Sequence, residues 1–184
     1  GSTSDKSATC RIAKATPEFT IISSDTVIGT NARKSTATTS IEGSVSVSSS
    51  DTGSLGVSVT GGPETKFVVT LSPKNKSATI TVTATFTPVD INYNSVTKTI
   101  TVSAFKLAEV GSCVTGLVYN KNSQKIATDG VGVTVTGNYQ TKAGSYNVSY
   151  LPQTGYKFSD GGTTAKTFSW SIAKATSSIS DSPV

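Results

Sequence analysis

Hydrophobic residues recur at every second position in several short segments of this chain. The clearest segment runs from Ile80 through Val82 and Ala84 to Phe86, with threonines between them. Successive side chains of a β-strand point to opposite faces, so this alternation predicts a strand with one buried and one solvated face. The same pattern occurs in residues 55–59, 67–71, 131–135 and 146–150.

Turn signals separate these segments. Examples are Asp51-Thr-Gly53, Gly61-Gly-Pro63 and Ser159-Asp-Gly-Gly162, all of residue types that suit tight turns. No segment combines a 3.6-residue hydrophobic period with helix-capping residues. Seven short strands up to Phe105 predict an antiparallel β-sandwich; they include residues 35–41 and a segment around Val45 and Val47. After a short linker at residues 105–109, a further set of strands opens with Leu117–Tyr119. It predicts a second all-β module, either a true sandwich or a smaller β-fold.

An internal repeat suggests a modular array. Ile12-Ala-Lys-Ala-Thr16 recurs as Ile172-Ala-Lys-Ala-Thr176, 160 residues later. The second copy follows a strand-like segment, so we interpret residues 3–16 as the last strand of a preceding module and the chain as one period of an array. Residues 1–14, which begin with a Gly-Ser cloning scar, are then a remnant, and residues 177–184 are a tail.

Composition argues against an enzyme. The chain has no histidine, and charged residues make up 15% of it. A Ser-His-Asp triad and histidine-based zinc sites are therefore excluded, and the eleven acidic residues are dispersed. No phosphate-binding glycine loop is present. We expect no catalytic residues and no cofactor.

The net charge of +5 does not point to nucleic acid, because the lysines and arginines are scattered and the longest basic run is Arg33-Lys34. No apolar run is long enough to span a bilayer, so no membrane insertion is expected.

Two groups of motifs resemble a known family. Ser77-Ala-Thr-Ile-Thr-Val-Thr-Ala84 and Asn92-Tyr-Asn-Ser-Val-Thr-Lys-Thr-Ile-Thr-Val102 resemble the closing strands of bacterial Ig-like (Big) domains. Gly155-Tyr-Lys-Phe-Ser-Asp-Gly161 and Phe168-Ser-Trp-Ser-Ile-Ala-Lys174 resemble a shorter repeat that accompanies them. The resemblance covers residues 15–176. It implies two tandem immunoglobulin-like antiparallel β-sandwich modules, at residues 15–105 and 106–176.

The resemblance also implies a function. Such modules occur in bacterial surface proteins, adhesins and phage structural proteins, as spacers or binding modules. We expect a non-catalytic stalk segment that contacts neighbouring modules of its own chain, with adhesion to a cell-surface glycan or protein as a further role. The expected location is extracellular or the cell surface, with a virion as the alternative. Alternative functions are a carbohydrate-binding module of a secreted enzyme and a phage tail or capsid decoration domain.

Two sets of side chains are candidate ligand sites. Asp90, Asn92 and Asn94 present oxygen atoms at alternate positions, which suits calcium, although the same residue types also build turns. Tyr139 and Tyr156 are the candidates for stacking on a sugar ring. The alternative is that the aromatic residues of the second module fill its core, with Trp170 at the centre.

Two covalent cross-links are considered. Cys10 and Cys113 lie about one module apart, so a disulfide between them is disfavoured, and we expect partly buried free thiols while the bonded state stays open. An isopeptide bond from Lys98 to Asn94, with Glu18 as an alternative participant, requires that the lysine be buried.

Overall fold

The computed structural model describes residues 10–62 and 64–177. Within these residues all regular structure is β-strand, which confirms the predicted all-β class. The strands are β1 (Phe19–Thr20), β2 (Ser24–Ile28), β3 (Arg33–Ser49), β4 (Leu55–Thr60), β5 (Glu64–Pro73), β6 (Ala78–Pro88), β7 (Val96–Leu107), β8 (Gln124–Lys125), β9 (Val133–Thr136), β10 (Tyr139–Gln140), β11 (Gly144–Pro152), β12 (Tyr156–Lys157) and β13 (Lys166–Ile172).

The chain forms two compact units, as expected of tandem modules. Unit 1 contains the described residues up to Asp25, with Ala32–Ser72 and Thr79–Val102. Unit 2 contains Thr26–Asn31, Pro73–Ala78 and the described residues from Ser103 onward. Two short segments from early in the sequence therefore cluster with unit 2. The module boundary after residue 105 stays a prediction.

Strand β3 organises unit 1. Its first part pairs with β1 and β5, and its second part pairs with β6, which neighbours β7. The register shifts between Thr38 and Gly43. We expected two strands here, over residues 35–41 and around Val45 and Val47, but a single strand spans both. The chain does not turn between the two predicted strands. Instead, a single strand changes its pairing partner from β5 to β6, and local alternation does not reveal such a change.

Unit 1 has an apolar core. Phe19 of β1 and Phe86 of β6 are both buried in it, and their ring centres lie 5.9 Å apart. The alternating residues of β5 and β6 are buried as predicted, with at most 1% of their surface exposed. They are Phe67, Val69, Leu71, Ile80, Val82, Ala84 and Phe86.

Unit 2 is built on the antiparallel sheet β9-β11-β13, together with the pair β8-β10. Phe105–Leu107, for which the sequence predicted a linker, completes β7, and the end of that strand pairs in parallel with β12. The strand predicted at Leu117–Tyr119 is reduced to one bridge, between Val118 and Ala173. The core comprises Ala108, Ile126, Ala127, Val133, Val148, Tyr150, Phe158, Trp170 and Ile172.

Candidate functional site

The turn Asp90–Asn94 contains the three predicted calcium ligands, and two of them, Asp90 and Asn92, hydrogen-bond each other. The Asn92 backbone N–H donates to Asp90 Oδ1 over 2.8 Å, and the Asn92 side-chain amide donates to the same oxygen over 2.9 Å. This is an Asx turn, in which the carboxylate accepts backbone hydrogen bonds that would otherwise be missing.

Asn94 faces an adjoining segment of chain and not its two proposed co-ligands. Its Nδ2 donates to the Lys14 carbonyl oxygen over 3.2 Å, and its backbone N–H donates to the Ala15 carbonyl oxygen over 2.8 Å. In return, the Ala15 N–H donates to the Asn92 carbonyl oxygen over 3.0 Å. Calcium requires six to eight oxygen ligands, and this arrangement presents an amide donor at one proposed position.

The residues that sequence reasoning missed are therefore Lys14 and Ala15. Both residues hydrogen-bond the Asp90–Asn94 turn, and Ala15 also forms a parallel β-bridge with Tyr93. The signal that could have found them is the repeated pentapeptide, because both residues belong to it.

The two candidate sugar-stacking tyrosines lie on different sheets. Tyr139 belongs to β10 and is 54% exposed, and Lys125 Nζ lies 5.8 Å from its ring centre. Tyr156 belongs to β12, packs half-buried against the core of unit 2, and has Lys106 Nζ 5.3 Å from its ring centre. Neither ring is therefore a bare platform, and the structure does not align them in one exposed row. Binding at either ring stays a prediction.

Tyr146, Tyr150 and Trp170 belong to the packed interior of unit 2. Tyr146 and Trp170, cross-strand partners on β11 and β13, have ring centres 4.9 Å apart. Tyr150 is fully buried, and its hydroxyl donates to the Thr128 carbonyl oxygen over 3.1 Å. Burial raises the pKa of Tyr150 above its ordinary value, because the anion loses hydration. The interpretation of these aromatic residues as core is confirmed.

Two ion pairs of unit 2 are exposed. Lys166 Nζ lies 2.8 Å from Asp160 Oδ2, and this contact holds the pKa of that carboxyl below its ordinary value, aided by the Gly162 N–H. Lys125 Nζ lies 2.8 Å from Asp129 Oδ2, and the hydrogen bond to Asp129 raises the lysine pKa. Over residues 10–62 and 64–177, no three Cys, Asp or Glu side chains come together as metal ligands.

The structure bears on both of the cross-links considered, the disulfide and the isopeptide bond. Cys10 and Cys113 are free, as expected, but both are exposed and not partly buried. Lys98 is exposed on β7, so it lacks the burial that an isopeptide bond requires. Strand alternation puts Lys98 on the same face as the buried Ile100 and Val102, so its exposure shows that burial on this face begins only after Lys98.

In the part of the chain that the structure describes, there is no helix long and apolar enough to cross a membrane.

Comparison with known proteins gives structural similarity only. No protein-family model and no curated protein matches the chain. Domains 5–6 of the S-layer protein SbsC are similar at 14% identity and a TM-score of 0.38, over 87% of this chain and 100% of that one. The N-terminal Ig1-2 module of the Drosophila receptor protein tyrosine phosphatase DLAR is similar at 7% identity and a TM-score of 0.36, over 88% of this chain and 100% of that one. Tandem Ig repeats of Dlar are similar at 9% identity and a TM-score of 0.37, over 86% of this chain and 98% of that one. Values this low assign no family.

Proposed function

We propose that this chain is a non-catalytic, load-bearing spacer: two tandem immunoglobulin-like modules, of the bacterial Ig-like kind, in a large protein exposed on a cell or virion surface. The observation that carries the mechanical role is the pairing of an early strand, β2, with β7; each of these strands begins in unit 1 and ends in unit 2. The Thr101 N–H donates to the Ser23 carbonyl oxygen over 2.9 Å, and the Gly29 N–H donates to the Phe105 carbonyl oxygen over 2.9 Å.

These bonds advance in the same direction along both strands, so the strands run parallel. Tension on the chain pulls β2 toward its amino end and β7 toward its carboxyl end. The bonds between them are then loaded together in shear, and they must break together. A spacer under tension needs this arrangement, since resistance to forced unfolding is governed by the unfolding barrier.

The test is single-molecule extension of the full chain. Thr101→Pro removes the N–H that bonds Ser23 and places the proline ring against the neighbouring strand. We expect a lower peak unfolding force. At equilibrium the lost hydrogen bond costs about 1 kcal/mol, and the contact of the ring with the neighbouring strand adds to that cost. Leu71→Ala is the control, because Leu71 is fully buried in β5 and its truncation costs roughly 2–5 kcal/mol.

The expected result is a larger fall in unfolding force per unit of lost equilibrium stability for Thr101→Pro than for Leu71→Ala. If force simply follows equilibrium stability in both variants, the β2–β7 pair is not the load-bearing element and the mechanical proposal fails.

The proposed surface location rests on the sequence resemblance, and it has its own test. An antibody against the folded chain should label intact cells or virions of the source organism, and labelling only after lysis would contradict it. Adhesion remains the finer part of the proposal. A glycan-array signal lost in Tyr139→Ala would replace the spacer with a carbohydrate-binding module.

A further inference from the structure

The two copies of the Ile-Ala-Lys-Ala-Thr pentapeptide are held in different ways. In the second copy, Ile172 ends β13 and is 2% exposed in the core of unit 2. Ala173 then forms two backbone bonds: its N–H donates to Leu117 O over 2.8 Å, and its carbonyl accepts from Tyr119 N over 2.9 Å. Lys174, Ala175 and Thr176 are exposed.

In the first copy the pattern is reversed. Ile12 is 98% exposed, and Ala13 is exposed as well. The bonded part is the second half, where Lys14 and Ala15 sit on the Asp90–Asn94 turn of unit 1. Ile12 therefore gains almost no stabilisation from burial of its side chain, whereas Ile172, the same residue 160 positions later, lies in a core.

The backbone groups used in the two copies do not overlap. The second copy uses the N–H and carbonyl of its second residue, Ala173. The first copy uses the carbonyl of its third residue, Lys14, and both groups of its fourth, Ala15. The two sets of bonds therefore do not compete for any donor or acceptor of the pentapeptide.

We propose that the pentapeptide is a two-sided junction that joins a unit of the second kind to a following unit of the first kind. Its first half completes the last strand of the preceding unit 2. Its second half is bound by the Asp90–Asn94 turn of the next unit 1, so the partner of that turn is the carboxyl-terminal segment of another copy of unit 2.

The junction has no slack. The last residue bonded to the preceding unit and the first residue bonded to the next are adjacent in sequence. No residue is left as a free linker, and a spacer array joined in this way has limited freedom at each such junction. This inference goes beyond the proposed load-bearing role of β2 and β7, since it concerns how successive periods connect.

The test is a fusion in which residues 17–184 follow Thr176 of the full chain, so that the pentapeptide at 172–176 precedes a second unit 1. Amide hydrogen exchange by NMR reports the bond. In the single chain we expect fast exchange at Ala175 and slow exchange at Ala15. In the fusion the Ala175 amide should slow by roughly tenfold or more, because it gains the Asn92 carbonyl of the second copy.

Asn94→Asp in the second copy replaces the side-chain donor with a carboxylate facing a carbonyl oxygen. Protection of Ala175 should then fall, while Ala15, seated on the unchanged first copy, keeps its protection. Asn31→Asp in the second copy is the matched control, since Asn31 is exposed and bonds Ile28 only through its backbone N–H. This control should leave Ala175 protected.

The amide of Val82, in the core strand β6, reports whether the second unit 1 is folded. If Ala175 exchanges as fast in the fusion as in the single chain while Val82 of both copies is protected, the junction does not form and the proposal is wrong. Because this readout involves no force, it can fail while the Thr101→Pro result holds, and the reverse is also true.

Discussion

Glycine placement in unit 2 shows how a single residue links backbone geometry to packing. Gly132 has φ +63°, and a Cβ added there would lie 2.0 Å from Tyr156 Cδ1. Gly116 has a similar φ of +74°, but no atom lies within 4 Å of its added Cβ. A residue with a side chain would be strained by the backbone conformation at either position, but only at Gly132 would its Cβ also clash with another side chain.

Gly132→Ala is therefore expected to cost roughly 2–4 kcal/mol, from left-handed backbone strain and displacement of the tyrosine ring. Gly116→Ala should cost about 1 kcal/mol, from the strain alone. Urea unfolding monitored in unit 2 measures both. Equal losses would show that the Gly132–Tyr156 contact contributes nothing to stability.

Tyr150 combines burial with one hydrogen bond, and both can be tested by substitution. Tyr150→Phe removes the bond to Thr128 O and should cost about 1 kcal/mol at neutral pH. The raised pKa means that the folded state holds the phenolic proton more tightly than the unfolded state. Stability from this group is thus complete below the ordinary value of 10.0 and is lost as pH rises above it.

Urea titrations at several pH values up to 11 should show a steeper loss for the wild type than for Tyr150→Phe. Lysines that titrate in this range are common to both proteins, so the difference isolates the tyrosine. Parallel curves would contradict the assigned effect of burial.

At the scale of elements, the sequence predicted core-facing strands well and strand continuity poorly. The alternating apolar residues of β5 and β6 face the core because only one of the two strand orientations buries all of them together. Leu117–Tyr119 has strand-like residues, yet only Val118 forms a bridge. Strand formation requires a partner along the whole segment, and local residue types do not show whether one is present.

The repeated isoleucine gives a prediction at this scale, because residue type and local sequence are the same at both positions. Ile172→Ala removes a buried side chain at the end of β13 and should cost roughly 2–5 kcal/mol. Ile12→Ala changes an exposed side chain and should stay within about 0.5 kcal/mol. Thermal or urea unfolding of the full chain measures both. A large loss for Ile12→Ala would place that residue in a core and contradict its exposure.

At the scale of the whole molecule, the described residues form extensive β-structure, and no metal-binding cluster of acidic or cysteine side chains occurs among them. Ion pairs form at Asp25–Arg33, Lys125–Asp129 and Asp160–Lys166. The last two are exposed on both sides and contribute little to stability, and apolar burial dominates in both units. The extension experiment belongs to this scale, because tension acts on the complete chain through the strands at which it enters and leaves.

The sequence by itself determined the all-β class and the core faces of the main strands, since alternation and turn residues act locally. It also contained the repeat at Ile12 and Ile172. Only the tertiary structure decided that these isoleucines differ in burial, that Asn94 bonds Lys14 and that the candidate tyrosines lie on different sheets. Each of these depends on which distant segments meet. Contacts of that kind follow from strand pairing and packing across the whole chain, and no local pattern encodes them.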